Sequence, residues 1–106
     1  MSESELQEHK KMAEGGAIKS ARKLSFYYGY INLDDREALK WLTTAAEQGD
    51  TLSQHNLAAA YLYNQAIRDI GKAKYWATKA KSGGSVESQS LLDEISQEEK
   101  DKPPKQ

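Results

Sequence analysis

Two histidines and three aspartates are the side chains of this sequence best suited to acid–base or metal chemistry. His9 and His55 lack neighbours at metal-ligand spacing, and the chain contains no cysteine, so no zinc site is predicted. Asp34, Asp35 and Asp69 each come just before a segment with helical periodicity. A carboxylate at that position satisfies free N–H groups and the positive end of the helix dipole. We therefore interpret these aspartates as helix caps and not as catalytic groups.

Glycines and hydroxyl residues offer the remaining chemistry, namely phosphate binding and nucleophilic catalysis. The glycine pairs at 15–16 and 83–84 follow helices instead of strands, and neither belongs to a G-x-G-x-x-G motif or a P-loop. No serine, histidine and acid share a sequence arrangement typical of a catalytic triad. The sequence therefore predicts a protein that is not an enzyme, with no catalytic residue, no bound metal and no cofactor.

The length and composition of the chain limit the size of its core and the classes of partner that it can bind. The chain of 106 residues has the size of one small domain, and its 38% hydrophobic and 29% charged residues predict a thin core. The 15 Lys and Arg against 16 Asp and Glu give a net charge of -1, which argues against a nucleic-acid binder. The acidic first residues do not resemble a signal peptide, and no apolar run approaches a membrane span. We expect a cytoplasmic protein that binds neither nucleic acid nor membrane.

The chain contains an internal repeat. Six residues recur 35 positions later: Asp34, Ala38, Trp41, Thr43, Ala45 and Gly49 return as Asp69, Ala73, Trp76, Thr78, Ala80 and Gly84. The preceding segment recurs at 33 positions: Ala13, Gly16, Leu24 and Tyr28 return as Ala46, Gly49, Leu57 and Tyr61. The two spacings differ by two residues, and the difference falls between the two halves of each copy. A length change there alters only a loop.

Apolar residues in each copy follow helical spacing. They recur at steps of three and four, which places them on one face of a helix and predicts two helices in each copy. Ser2 with Glu5 and Thr51 with Gln54 resemble capping boxes, and a glycine stands where each second helix should end. The predicted helices are 3–14, 17–31, 35–48, 51–63, 70–82 and 86–97.

This pattern resembles the Sel-one-like repeat, a relative of the tetratricopeptide repeat. Copy one carries Leu24, Tyr28, Asp34, Ala38, Trp41, Ala45-Ala46-Glu47 and Gly49, and copy two carries Leu57, Tyr61, Asp69, Lys72-Ala73, Trp76, Lys79-Ala80 and Gly84. The loops at 29–33 and 64–68 depart from the family because they lack its Gly-x-Gly. The resemblance implies an α-solenoid that holds other proteins, and it implies no chemistry.

We therefore predict an all-α fold, a short α–α superhelix of about six helices in a single domain over residues 1–97. Two complete repeats, 15–49 and 50–84, are flanked by half-repeat caps at 1–14 and 85–97, which cover apolar faces that the ends of a solenoid otherwise expose. Residues 98–106 are charged and carry two prolines, which predicts a disordered tail. The predicted core residues are Leu24, Tyr28, Trp41, Leu57, Tyr61 and Trp76.

One predicted helix face combines aromatic rings with cations. Lys19, Lys23, Phe26 and Tyr30 step by four, three and four along the face opposite the apolar stripe, and Asn56 and Tyr63 are counterparts of Lys23 and Tyr30 in the second copy. Exposed aromatic residues are enriched in protein interfaces. We therefore expect Lys19, Lys23, Phe26, Tyr30, Asn56 and Tyr63 to bind a partner. In the alternative, Phe26 and Tyr30 pack between neighbouring first helices. Separately, the basic cluster of Lys72, Lys74, Lys79 and Lys81 is a second candidate for contact with an acidic partner, but these lysines span several faces of one helix, which favours a solvated surface.

The function that this pattern favours is non-catalytic protein–protein interaction. One concrete role is an immunity protein that neutralises a bacterial effector, and another is a small adaptor; the sequence does not choose between them. Some proteins with this repeat have been proposed to act on cell-wall-related or β-lactam substrates, chiefly cysteine-rich ones, which makes a hydrolase the alternative. A self-associating structural module is a third hypothesis. We expect a monomer or a weak homo-oligomer whose partner is another protein of unknown identity.

Overall fold

A computed structural model describes residues 1–101, and helices dominate it. The six α-helices are α1 (Glu3–Glu14), α2 (Ile18–Phe26), α3 (Asp35–Glu47), α4 (Thr51–Tyr63), α5 (Ile70–Ser82) and α6 (Ser88–Asp101). Each helix starts within two residues of its predicted position, and there is no strand within the described range. The predicted all-α fold class is therefore confirmed.

The helices stack into an elongated body. Each helix packs on the next one in the chain, and further contacts join α1 to α3 and α4 to α6. The body measures 55 × 28 × 20 Å, and its radius of gyration of 15.3 Å exceeds the roughly 13 Å expected for a compact domain of this length. This elongation is what stacked helix pairs produce. None of the helices between residues 1 and 101 combines the length and the apolarity needed to cross a membrane.

Aspartates and a serine begin the helices. The Asp34 carboxylate accepts a hydrogen bond from the Glu37 backbone N–H at 3.1 Å, and the Asp69 carboxylate accepts one from the Lys72 N–H at 3.0 Å. Both aspartates are therefore helix caps, as their positions predict. Ser2 forms the expected capping box with Glu5, and the hydrogen bonds from Ser2 lower the pKa of the Glu5 carboxyl.

The cap of α4 differs from the expectation. Asp50, and not Thr51, is the N-cap residue, since its carboxylate accepts from the Ser53 N–H at 3.0 Å and from the Ser53 hydroxyl. The predicted Thr51–Gln54 capping box is therefore wrong. The Gln54 side chain is buried and donates instead to the Ala46 carbonyl at 3.1 Å. The Asp50 carboxylate, one residue before Thr51, accepts from the free N–H group at the start of α4. Gln54 is therefore not needed for capping, and its side chain joins α4 to the end of α3.

Two clusters of buried side chains form the core. The first joins α1, α2 and α3 and contains Leu6, Ala13, Ala21, Leu24, Tyr28, Trp41 and Ala45. The second joins α4, α5 and α6 and contains Ala58, Leu62, Ala73, Ala77, Leu91 and Ile95. Of the six predicted core residues, Leu24, Tyr28, Trp41 and Leu57 are buried, whereas Tyr61 and Trp76 are half-buried against the second cluster.

The last helix is longer than predicted. It continues to Asp101, so the prediction of a disordered tail is wrong for residues 98–101, and residues 102–106 of that tail lie outside the described residues. Ion pairs join the extra turn to the rest of the molecule: Glu98 pairs with Arg68, and Glu99 pairs with Lys74 at 3.2 Å. Charged residues that predict disorder in an isolated segment are held here by cations from the preceding helix pair.

The first predicted helix of copy one ends in a wider turn. After Phe26 the backbone changes from α-helical to π-helical hydrogen bonding over Tyr27–Ile31, and the Asn32 N–H donates to the Tyr27 carbonyl at 2.9 Å. Leu33 then adopts a left-handed conformation with φ of 53°, which a non-glycine residue rarely does. This turn stands where the family pattern places Gly-x-Gly. Short π-helical segments of this kind occur frequently at functional sites.

Candidate protein-binding groove

Two aromatic rings are displayed side by side at the end of α2. The residues that alternate with them, Leu24 and Tyr28, point into the first core cluster, so Phe26 and Tyr30 face outward. Their ring centroids are 4.9 Å apart, and the side chains remain 59% and 75% exposed. The alternative in which these rings pack between neighbouring first helices is therefore wrong. The rings form an apolar surface that solvent reaches.

Three cations lie on the same side of α2 as the rings. Lys19, Arg22 and Lys23 are exposed along this helix. Of the three, only Arg22 lies within ion-pair distance of a carboxylate in the part of the chain from 1 to 101, with its Nε 3.8 Å from an Asp50 oxygen. The two lysines are therefore available to a negatively charged group from outside the molecule.

A groove separates α2 from α4 and joins these features. It has a volume of about 990 Å³, and its lining includes Lys19, Arg22, Lys23, Phe26, Tyr30, Leu52 and Asn56. We call it the α2–α4 groove. Leu42 of α3 and Ile31 also line it. No acidic side chain from residues 1–101 lines the groove, so its surface is apolar and cationic.

Five of the six residues predicted to bind a partner lie together in the α2–α4 groove, and the sixth does not. Tyr63 lies at the end of α4, where its hydroxyl donates a hydrogen bond to the Glu94 carboxylate of α6. That carboxylate raises the pKa of Tyr63, because the neutral phenol is the form that donates. Tyr63 therefore holds α6 in place and is not part of the groove.

Of the thirteen described residues that line the groove, sequence reasoning missed eight: Met1, Arg22, Ser25, Tyr27, Ile31, Leu42, Leu52 and Ser53. Leu52 is half-exposed at the start of α4, off the buried stripe of that helix, and Arg22 follows Lys19 by three positions. The helical spacing of Leu52 and Arg22 could therefore have placed both residues on the exposed face. Leu42 and Ile31 carried no such signal, because their place depends on how far α2 and α4 stand apart.

The basic cluster on α5 offers a weaker case for an interface. Lys74 pairs with Glu99, the Lys72 ammonium lies 5.3 Å from the centre of the Tyr61 ring, and the Lys79 ammonium lies 5.5 Å from that of Tyr75. Such contacts hold a cation on its own protein. Three of the four lysines are therefore engaged by neighbouring side chains, which distinguishes this cluster from the lysines of the groove.

The histidines take part in helix packing. His9 Nδ1 lies 3.0 Å from the Ser20 hydroxyl and joins α1 to α2, and His55 Nδ1 lies 2.9 Å from the Ser88 hydroxyl and joins α4 to α6. Ser88 is completely buried, so no substrate reaches its oxygen. Between residues 1 and 101 no group of three or more His, Asp or Glu is arranged to hold a metal ion. The histidines are therefore part of the packing between helices.

Comparison with known protein families gives two adjacent matches. The family model of the Sel1 repeat matches residues 18–50 and 51–85, which cover most of the chain. The match confirms the resemblance found in the sequence, and its boundaries lie within three residues of the two predicted repeats. Neither the curated proteins nor the solved structures contain a significant match to the chain.

Proposed function

Since the chain belongs to the Sel1 repeat family, we propose that it binds another protein and that the α2–α4 groove is the binding site. Sel1 repeats are generally protein–protein interaction modules, and the family is one of non-catalytic modules. One observation carries the assignment of the site: the exposed Phe26–Tyr30 ring pair lies in the same groove as two lysines without a carboxylate partner in the described residues.

The chemistry of the groove suits a protein partner. Aromatic side chains contribute large contact areas at little cost in conformational entropy, and they are enriched among residues that dominate binding energy. Lysines beside such anchors steer an acidic partner and fix its orientation. We propose that residues 1–101 act as one unit, in which the stack of helices holds the groove open between α2 of the first repeat and α4 of the second.

Capture of the partner from the host, followed by calorimetry with purified components, tests this proposal. We expect Phe26→Ala and Tyr30→Ala each to weaken binding at least tenfold, because an anchor of this kind contributes roughly 2 kcal/mol or more. Tyr75→Ala on α5 is the control, since it removes an exposed ring that does not line the groove. Normal binding by the groove variants, with loss of binding by a Lys79→Glu/Lys81→Glu variant, would place the interface on α5 instead.

The same complex separates the two roles that we propose for such a module. An immunity protein inhibits its partner's activity when it is added in equal amount, because it covers a surface that the effector needs. An adaptor leaves that activity intact and increases the association of its partner with a third component. The activity of the captured protein, measured with and without the chain, distinguishes them.

A further inference from the structure

Helix α6 shows how this molecule holds an acidic helix. Leu91 and Ile95 of α6 are buried in the second core cluster. Its carboxylates contact the residues around them: Glu94 accepts from the Tyr63 hydroxyl, and Glu98 pairs with Arg68. An amphipathic helix is thus held by an apolar stripe in the centre and by carboxylates that meet a phenol and a cation at the edge.

Tyr30 is the counterpart of Tyr63 in the first repeat, 33 positions earlier. Tyr63 meets α6 because α4 and α6 pack together, whereas the groove separates α2 from α4. Between residues 1 and 101 the Tyr30 hydroxyl has no hydrogen-bond partner, and its ring is displayed beside Phe26. The first repeat therefore displays at the groove, beside Phe26, a phenol whose counterpart in the second repeat binds a carboxylate.

We infer that the α2–α4 groove binds an acidic amphipathic helix of a partner protein, an inference that rests on the proposed function. Apolar residues of that helix pack on Phe26, Tyr30 and Leu52. Its carboxylates meet Lys19, Lys23 and the Tyr30 hydroxyl, which belong to residues that line the groove. Lys19 and Tyr30 are eleven positions apart, about 16 Å along a helix, so the groove contacts roughly three turns of its occupant.

Charge favours this occupant over a nucleic acid. Cations and aromatic rings also bind single-stranded nucleic acid. The groove, however, is lined by three cationic side chains, and the chain has a net charge of -1, so there is little positive charge to neutralise a phosphate backbone. Leu52, Ile31 and Leu42 add aliphatic surface, which stacks poorly on bases and packs well on leucine or isoleucine side chains. The occupant that α6 exemplifies is a helix with an apolar stripe and carboxylates at its edges.

A peptide with the sequence of residues 86–101 is a suitable probe, because it reproduces the acidic amphipathic helix that the molecule already holds. Isotope-labelled full-length protein is titrated by NMR with this peptide, with a version in which every Asp and Glu is replaced by Asn and Gln, and with a scrambled version of the same composition. We expect the parent peptide to shift the signals of groove residues. We expect the neutral and scrambled peptides to bind there at least tenfold more weakly.

Charge-reversal variants locate the effect. Lys19→Glu/Lys23→Glu should weaken binding of the parent peptide at least tenfold, and Lys79→Glu/Lys81→Glu, which changes the net charge by the same amount on α5, should leave it within about twofold. Tyr30→Phe should weaken binding, whereas Tyr63→Phe should not. Equal effects of the two double variants would overturn the inference, because they would show only a long-range charge effect.

Other outcomes also contradict the inference. Equal binding of the neutral peptide in the groove would mean that the site is apolar only; the proposed function would stand, and the acidic partner would not. Shifts confined to α4 and α6, tighter binding of a single-stranded oligonucleotide, or concentration-dependent shifts of groove signals without peptide would assign other occupants. Failure of the proposed function is seen separately, in unchanged capture of the host partner by Phe26→Ala and Tyr30→Ala.

Discussion

Trp41 and Trp76 lie at equivalent positions of the two repeats, yet Trp41 is 1% exposed and Trp76 is only half-buried. Helix α3, which carries Trp41, is enclosed by α1, α2 and α4, whereas α5 contacts α4 and α6. The Trp41 indole N–H also donates to a Glu37 carboxylate oxygen at 3.0 Å. Trp41 is therefore better packed than its counterpart in the second repeat.

This difference predicts unequal losses of stability. Trp41→Ala should reduce the free energy of unfolding by about 3–5 kcal/mol, since it leaves a cavity in the first core cluster. Trp76→Ala should cost about 1–2 kcal/mol, because part of its ring already contacts solvent. Thermal and denaturant unfolding followed by circular dichroism measure both values. Equal losses for the two variants would contradict the unequal packing.

The cap of α4 gives a second prediction. Asp50→Ala should cost about 1 kcal/mol, because the Ser53 N–H loses its acceptor, and Thr51→Ala should cost less than half as much. Chemical denaturation of the two variants at neutral pH compares them. A larger loss for Thr51→Ala would restore the capping box that the sequence suggested.

Truncations test the two ends of the stack. Deleting residues 1–14 removes Leu6 and Ala13 from the first core cluster, so we expect exposed apolar surface and aggregation. Deleting residues 100–106 should have little effect, because Glu98 and Glu99 keep their ion pairs with α4–α5 residues. Light scattering and unfolding curves of the purified variants measure the effects.

A third truncation serves as the control for the last helix. Deleting residues 98–106 removes both ion pairs and should cost about 1 kcal/mol more than deleting 100–106, because exposed pairs contribute little each. Identical unfolding curves for the two shorter chains would show that the ion pairs do not hold the last turn of α6.

The Tyr63–Glu94 hydrogen bond predicts a pH dependence. The folded protein raises the pKa of Tyr63 above its ordinary value of about 10, so this contact stabilises the fold fully below that pH and its contribution is lost as pH rises through the folded pKa. Glu94→Gln should lower the pKa of Tyr63, and Asp93→Asn on the same helix should not. NMR titration of the tyrosine ring carbons measures both. An unchanged Tyr63 titration in Glu94→Gln would show that the Tyr63–Glu94 hydrogen bond does not join α6 to α4.

The helices could be predicted from the sequence because their apolar stripes and their caps are local patterns. Asp34 and Asp69 cap their helices as expected, because a carboxylate just before a helix accepts hydrogen bonds from the free N–H groups of its first turn. The end of α6 could not be predicted, since its last turn depends on Arg68, which is 30 positions away from Glu98. The same holds for the groove. Tyr30 and Tyr63 look equivalent in the sequence, but Tyr63 meets a carboxylate of the next first helix, Glu94, whereas Tyr30 lines the groove between α2 and α4.

The π-helical turn at 27–31 sets the rotation of the displayed rings relative to the buried stripe. Each residue advances an α-helix by about 100° around its axis. Removing one residue between Phe26 and Tyr30 would therefore rotate the side chains that follow in this helix by that angle relative to Phe26. The ring pair would separate although no ring had been replaced. The direction in which this molecule offers its rings is therefore fixed by the number of residues in one turn, and a single insertion or deletion there could reorient a binding face without altering its composition.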